Sequence, residues 1–378
     1  MFTKIVILGK IPMVFLLYSG IFLSLILLGL YLRAEPAKEV EKFDAEKIIA
    51  SMGTGNTSVF EDVRDSLKDI IKKWGIHGAI AINTAALRHS KYGIYQCHVI
   101  MHLIGHEAVV YYGTDYGAVI NQRIEFCELG YQHGAEAQVV YSGGDYKDEL
   151  YKMCGLIQKK DPNAACFHGA GHAFMNDSLD VDKSLKLCDD LVNEKYTVEN
   201  MMPCYNSVFA ELTNLVGGKD GGTGIEYTGG PPLSIGNLTA LQYCSKFGDR
   251  YKVQCLFEFS GLGINENSTS EEVTTKLLAC SDKNFEEKFE AACIHSVAAV
   301  GTQHELAYSN TVRIPKHIYT LPKALRTAYI YGAGNEILQY MISGVPKDWN
   351  AFCNSFSNTE DKKTCTQIFA NFKTENHN

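Results

Sequence analysis

The sequence lacks the patterns that mark several common cofactor sites. None of its 12 cysteines forms a Cys-x-x-Cys pair, which argues against zinc ribbons, thioredoxin-type redox sites and c-type haem attachment. It has no block of basic residues and a formal net charge of −8, so nucleic acid is not an expected partner. The zincin pattern His-Glu-x-x-His is also missing, because Glu107 follows His106 and no glutamate follows His102.

Charge is absent from one long segment near the N-terminus. Residues 11–32 carry no charged side chain, and as a helix they would span roughly 30 Å, the thickness of the hydrocarbon core of a bilayer. The run is longer than the apolar core of a cleaved signal peptide, so we expect a signal-anchor that spans the bilayer over residues 11–33. This predicts a short cytoplasmic tail over 1–10, a stalk or linker over 34–57 and an extracytoplasmic domain over 58–378.

The cysteines predict both the compartment and a set of cross-links. Their even number and regular placement fit disulfides, so we expect the main domain outside the cytoplasm, held at the cell membrane. Sequons compatible with glycosylation there lie at Asn56, Asn176, Asn237 and Asn267. Five bridges are predicted within local hairpins and a sixth by elimination: Cys154–Cys166, Cys188–Cys204, Cys244–Cys255, Cys280–Cys293, Cys353–Cys365 and Cys97–Cys127.

A unit of about 38 residues recurs along the chain. Each unit has two cysteines 11 to 16 positions apart, with a polar turn between them and a small-residue apolar stretch behind. Cys127 and Cys166 are 39 positions apart, and Cys166 and Cys204 are 38 apart. A unit around Tyr329 keeps the small-residue pattern without cysteines. This periodicity predicts an all-α fold of about eight disulfide-stapled αα-hairpins, forming either a solenoid or an α/α toroid.

The sequence also indicates where the first helix of the domain begins and ends and which helices form an inner layer. Ser58 and Glu61 have the spacing of a capping box, so we expect the first helix of the domain there and its end at Gly75. Glycine and alanine cluster in the second helix of each unit, as in the segment GAGHA after His168. Glycine costs a helix about 1 kcal/mol against alanine, so its recurrence indicates that these second helices approach closely as an inner layer.

Histidine does not follow the repeat. Asn206, Phe257 and Tyr331 occupy the position of His168 in later units, although His295 recurs there. Six of the 12 histidines lie in three early second helices: His98, His102, His106, His133, His168 and His172. A purely structural role would be expected to spread with the scaffold. The asymmetry therefore indicates a function in the N-terminal half of the domain.

The spacing of these histidines suits a metal ion. Residues four apart on a helix face the same way, so His102 can chelate with one neighbour, whereas His98 and His106 lie roughly 12 Å apart along the axis. The predicted ligands of one zinc, copper or iron ion are His102, His106, His133, His168, His172 and Glu136, with His98 and His295 as further candidates. His98 and His168, near bridging cysteines, are also the members most readily explained as structural.

Two functions remain open from the sequence. One is a metal-dependent hydrolase or oxidoreductase, for which Glu136, Glu211 and Glu258 are candidate catalytic carboxylates. The other is a non-catalytic scaffold or membrane-complex subunit, with a concave helical surface that binds a protein or glycan. A scaffold predicts separated or exposed histidines, whereas a metal enzyme predicts that they converge in one place.

Overall fold

The computed structural model describes residues 43–52, 58–88, 94–122, 127–160, 165–216, 235–236, 238–264, 268–281, 285–310 and 312–375. The predicted tail and signal-anchor, residues 1–33, lie outside these described residues. In the part of the chain that is described, no helix combines the length and the apolar character needed to cross a bilayer. The sequons at Asn56, Asn237 and Asn267 are likewise outside the described residues.

The described residues are helical, with no β-strand among them, which confirms the all-α prediction. Short 3-10 helices lie at Glu199–Met201 and Lys316–Thr320. The α-helices in chain order are α1 (Ala45–Ala50), α2 (Val59–Ala86), α3 (Ile94–Tyr112), α4 (Tyr116–Asn121), α5 (Gly130–Tyr141), α6 (Tyr146–Lys160), α7 (His168–Ser178), α8 (Val181–Asp189), α9 (Met202–Val216), α10 (Ala240–Cys244), α11 (Asp249–Phe259), α12 (Ser270–Cys280), α13 (Glu287–Tyr308), α14 (Lys323–Ile342), α15 (Trp349–Ser355) and α16 (Thr359–Glu375).

Helix α2 begins where the capping box predicts, and its first part ends where the glycine predicts. The Ser58 hydroxyl accepts from Glu61 N at 3.2 Å, and the Glu61 carboxylate accepts from Ser58 N at 2.7 Å. The backbone leaves the helical conformation at Gly75, with φ 71°, and a second helical stretch follows directly and continues to Ala86. Glycine has no Cβ and adopts this backbone conformation without strain. Burial of Ile82 beyond the kink explains why the helix resumes.

A short helix lies within the segment assigned to the stalk. Ile49 of α1 is fully buried, and α1 packs against α2. Glu46 also forms an ion pair with Arg88. Residues 45–50 therefore belong to the packed unit that extends from Ala45 onward.

All 12 cysteines are paired, in the six pairs that the sequence predicts. Their Cα–Cα distances lie between 5.5 and 5.9 Å, within the usual range for a disulfide. The Cys97–Cys127 bridge ties α3 to the turn before α5, and each of the other five joins cysteines 11 to 16 positions apart. Such cross-links stabilise a fold mainly by restricting the unfolded chain.

One series of helices runs through the domain, each packed on the next: α3, α5, α7, α9, α11, α13 and α14. We call these the central helices. Other helices, such as α6, α8 and α12, pack against them. Helix α3 also contacts α13, and Cys127 N donates to Ser343 Oγ at 3.1 Å, so early and late members of the series touch. The predicted repeat, and the choice between a solenoid and a toroid, stay predictions.

Candidate metal centre

Five histidine rings converge where α3, α5 and α7 pack together. The ring centroids of His98 and His102 are 4.5 Å apart, and those of His168 and His172 are 5.0 Å apart. His133 lies between the two pairs: it stacks on His168 at 4.0 Å and contacts His102 edge-on at 5.3 Å. We call these five residues the histidine cluster. The convergence is the arrangement that a metal site requires.

Glycine brings the three helices close enough for these rings to meet. A Cβ at Gly134 would overlap the backbone carbonyl of His102, and one at Gly169 would overlap the carbonyl oxygen of His133. Only glycine permits backbones to approach in this way. The small-residue prediction for the stretch around His168 is therefore met, and the close approach places histidines of neighbouring helices side by side.

The backbone is strained at the entrances to two of these helices. Cys127, Glu128 and Leu129 have φ of 52°, 54° and 58° just before α5, and Phe167 has φ 69° just before His168. Residues other than glycine rarely adopt this left-handed conformation, which costs of order 1–3 kcal/mol for each. Strain of this kind clusters at functional sites, and here the surrounding bridges and packing hold it in place.

Two pairs of ring nitrogens lie at the separation expected for ligands of a shared ion. Nε2 of His98 is 2.9 Å from Nε2 of His102, and Nε2 of His168 is 3.2 Å from Nε2 of His172. Two imidazoles bound to one tetrahedral zinc have nitrogens about 3.3 Å apart, because each Zn–N bond is about 2.0–2.1 Å. His98, His102 and His133 each offer a ligand atom, and these three atoms lie within 4.8 Å of one another. Three histidines are therefore close enough to hold one metal ion.

Hydrogen bonds outside the cluster fix the tautomer of one histidine in each pair. Nδ1 of His98 donates to the carbonyl oxygen of Cys127 at 2.9 Å, and Nδ1 of His172 donates to Oε2 of Glu211 at 3.0 Å. Because Nδ1 carries the proton in both rings, Nε2 has a free lone pair that points into the cluster. Histidines that bind metals usually make this same hydrogen bond to a carbonyl or carboxylate.

Burial keeps the deeper imidazoles neutral. His102 is fully buried, and His133 and His172 are 7% and 3% exposed. Burial, and then the neighbouring histidines, hold the pKa of His102 and His133 well below the usual value; the pKa of His172 falls to about 3 for the same reasons. A neutral imidazole is the form that binds a metal ion. His98 and His168 are half-buried, so the cluster is partly accessible at these two rings.

The structure places two predicted ligands in other roles. Glu136 accepts from Gln132 Nε2 at 2.8 Å and from Gly169 N, at the start of α7, at 2.9 Å. The carboxylate thus links α5 to the N-terminus of α7, where negative charge is favourable. His106 is half-buried beside Glu107, with Nδ1 3.9 Å from Oε1, and does not join the histidine cluster.

The later central helices carry different chemistry. His295 stacks on Phe257 with centroids 4.5 Å apart, away from the cluster, and burial lowers its pKa to about 4. Glu258 accepts from Asn206 Nδ2 at 2.5 Å, and burial raises the pKa of Glu258 to about 7. The pKa of Glu336 is raised well above its usual value by burial and then by Glu128 and Glu258. The carboxylates of Glu128, Glu258 and Glu336 therefore interact electrostatically, and the negative charges of the first two disfavour ionisation of the third.

Three of these polar residues are not among those predicted from the sequence: Glu128, Gln132 and Glu336. Glu336 had a usable signal, because it is an acidic residue in an apolar central stretch, as Glu211 and Glu258 are. Glu128 and Gln132 had none, because a turn and a short helix give no pattern for their contacts with other helices.

No protein-family model, curated protein or solved structure matches the chain. The site is therefore described by its geometry. Histidine nitrogens supply the donor atoms at its centre, and carboxylates such as Glu211 support them from outside. Such a donor set suits zinc, copper or iron better than magnesium or calcium, which prefer oxygen ligands.

Proposed function

We propose that the protein is an extracytoplasmic metalloenzyme that uses the histidine cluster to bind zinc, copper or iron, and that it catalyses a metal-dependent hydrolysis. The observation that carries the proposal is the convergence of His98, His102 and His133, whose ligand atoms lie within 4.8 Å of one another. The hydrogen bond from His98 to the carbonyl of Cys127 supports it, because it leaves Nε2 free to bind.

A purely structural role of the histidine cluster explains fewer of these observations than metal binding does. Hydrogen bonds between neutral imidazoles explain each short pair of nitrogens, but Nδ1 of His133 is buried and finds no hydrogen-bond partner among the described residues. Buried polar atoms without partners are rare and costly. A metal ion would accept the lone pair of such a nitrogen. A scaffold protein, in contrast, predicts separated or exposed histidines, and these converge and are largely buried.

The residues around the cluster suit hydrolysis. An ion held by three imidazoles with a remaining open position would activate water and polarise a carbonyl or phosphoryl group. The half-buried side, at His98 and His168, provides access for substrate. Glu136 and Glu211 are hydrogen-bonded to Gly169 and His172, so Glu258 is the remaining candidate acid or base among the three carboxylates named from the sequence. Glu258 interacts electrostatically with Glu128, whose Oε2 lies 3.8 Å from Nδ1 of His98. The Glu258 pKa of about 7 lets this carboxyl both accept and donate a proton near neutral pH.

Metal redox chemistry is the second candidate function. It is favoured by a ligand group made only of histidine nitrogens, because copper(II) binds such ligands more tightly than the other divalent ions of the first row. The natural metal separates the two functions. Zinc points to hydrolysis, since it has no redox chemistry, whereas copper or iron points to an oxidoreductase.

The proposal also covers the cellular compartment of the domain, its attachment to the membrane and the arrangement of its helices. Six disulfides support an oxidising compartment, and the charge-free segment 11–32 supports anchoring in the cell membrane, with the domain outside. The contacts of α3 with α13 and of Cys127 with Ser343 support a closed toroid over an open solenoid. Asn176 is a weak glycosylation site in this setting, because its amide nitrogen donates to the Tyr141 hydroxyl at 3.1 Å.

Metal analysis of protein purified without a histidine tag tests the proposal. We expect at least one zinc, copper or iron ion per chain, and we expect His133→Ala to lose it while the helical circular dichroism spectrum is retained. His317→Ala is the matched control, because His317 lies in a 3-10 helix and bonds only locally to Thr320. Full metal content in His133→Ala would contradict the proposal, and so would the absence of metal in wild-type protein that has been reconstituted with all three ions.

A further inference from the structure

The pair His168 and His172 extends the metal centre beyond the three histidines that can share one ion. We infer that this pair binds a second transition-metal ion next to the first, so that the centre is dinuclear. The inference rests on the proposed function, since it assigns a second ion to the same cluster. Its ligand class is the same, a first-row ion that prefers imidazole nitrogen.

The geometry of the pair is that of a chelate. The two Nε2 atoms are 3.2 Å apart, close to the separation of about 3.3 Å between two imidazole nitrogens on one tetrahedral ion. Both histidines lie on α7 four positions apart, so one helix presents them on one face. An ion bound there would keep further positions for water or substrate on the side of His168, which is half-buried.

Glu211 holds His172 in the tautomer that can bind a cation. It is fully buried, and Oε2 accepts the Nδ1 proton of His172 at 3.0 Å. This bond fixes the tautomer, so that Nε2 of His172 offers its lone pair to His168 and to any ion between them. A carboxylate behind a histidine also makes the ring a stronger ligand. His98 has a backbone carbonyl in this role, so each of the two pairs has its own support.

His133 and His102 bring the two pairs into contact. His133 stacks on His168 with ring centroids 4.0 Å apart, and His102 meets His172 edge-on at 5.3 Å. Ions held by neighbouring rings at these distances are close enough to act on one substrate. Dinuclear sites with ions about 3.5–4 Å apart hold both the attacking and the leaving oxygen of a displacement, which suits hydrolysis.

The test is a titration of the metal-free, untagged full-length chain with cobalt(II). We expect two ions per chain in wild type and one in His168→Asn. Asparagine is chosen because Asn206 occupies the corresponding position in the next unit of the sequence. His295→Asn is the matched control and should keep two, because His295 stacks on Phe257 outside the cluster. Two ions retained in His168→Asn would overturn the inference.

The other stoichiometries separate this inference from the proposed function. One ion in wild type, whether His168→Asn keeps or loses it, would overturn the dinuclear centre and leave a mononuclear metal site in place. No bound ion in wild type would overturn both. A measurement on wild type alone guards against misfolded variants: the electron paramagnetic resonance of cobalt(II) should show spin coupling as the second equivalent binds, and two independent signals would contradict adjacent ions.

Discussion

Glycine allows close backbone contact both in the early central helices (α3, α5 and α7) and in the late ones (α11, α13 and α14), but the side chains beside these contacts differ. In the early region, a Cβ at Gly169 would overlap the carbonyl of His133; in the late region, a Cβ at Gly332 would overlap the carbonyl of His295. Both regions thus depend on close backbone approach. Only the early region fills the space beside it with imidazoles, whereas His295 stacks on Phe257.

The difference separates architecture from function. Tight helix packing needs glycine and does not need a cluster of histidines, because in the late region Gly332 packs closely on His295, which stacks on Phe257. The five early histidines are therefore not explained by packing. Four of them have pKa values lowered by burial, so their rings are neutral, which is the form that binds a metal ion: His102, His133, His168 and His172. Experiments that treat the two regions as a matched pair can test this separation directly.

Acid should affect the early region most. His102, His133, His168 and His172 have lowered pKa values in the folded chain, so the unfolded state binds more protons as the pH falls below 6.5; for His172 this continues down to about pH 3. Stability therefore falls as pH drops through this range, by up to about 1.4 kcal/mol per pH unit for each histidine. Urea unfolding of the metal-free, oxidised protein at a series of pH values measures the slope.

Carboxylates such as Glu258 also titrate in this range, so the informative quantity is a difference between variants. His172→Ala should have a shallower dependence of unfolding free energy on pH than wild type. Identical slopes in the two proteins would mean that the cluster accepts protons as readily as the unfolded chain, and the neutral-imidazole description would be wrong.

Removal of a central ligand should have the next largest effect. We expect His102→Ala to weaken metal binding by more than the 10–100-fold that is typical for loss of an outer hydrogen-bond partner. The cause is that His102 lies fully buried, with Nε2 2.9 Å from that of His98. Competition with a chelator measures the affinity. His295→Ala in the late region should leave it unchanged, and an equal loss in both variants would remove the distinction between the regions.

Removal of the carboxylate behind His172 should have a smaller effect. Glu211→Leu keeps the ligand but loses the bond that fixes its tautomer, so we expect metal binding at this histidine to weaken by about 10–100-fold. Glu211→Gln should recover part of the affinity, because its amide oxygen can still accept the Nδ1 proton. Isothermal titration of both variants provides the measurement. Equal affinities for wild type and Glu211→Leu would show that Glu211 does not position His172.

Substitution of the glycines at the close helix contacts should have the smallest effects of this series, and in the late region it should leave metal binding unchanged. Gly169→Ala and Gly332→Ala each force backbones apart, so both should lose about 1–3 kcal/mol of unfolding free energy, as overpacked cores do. Only Gly169→Ala should also weaken metal binding, because it shifts α7 against His133. Chemical denaturation and metal titration of the two variants together separate packing from ligation. A loss of metal in Gly332→Ala would couple regions that the account treats as independent.

Local features of the fold were predictable from sequence. The capping box at Ser58, the six disulfides and the glycine contacts of α7 follow from spacing alone. The continuation of α2 past Gly75 was not, because burial of the residues beyond the kink depends on neighbouring helices. The sequence limited the ligands of α3 to His102 and one neighbour, and the three-dimensional packing brings His98 rather than His106 into the cluster.

X-ray absorption spectroscopy of the reconstituted full-length protein, at the edge of its natural metal, shows directly which atoms bind the ion. We expect a ligand shell dominated by nitrogen, at about 2.0–2.1 Å if the ion is zinc, with the multiple-scattering pattern of several imidazoles. All 12 cysteines are bridged, so no thiolate is expected in that shell. A shell of oxygen or sulfur without imidazole scattering would contradict the claim that the histidine cluster binds the metal.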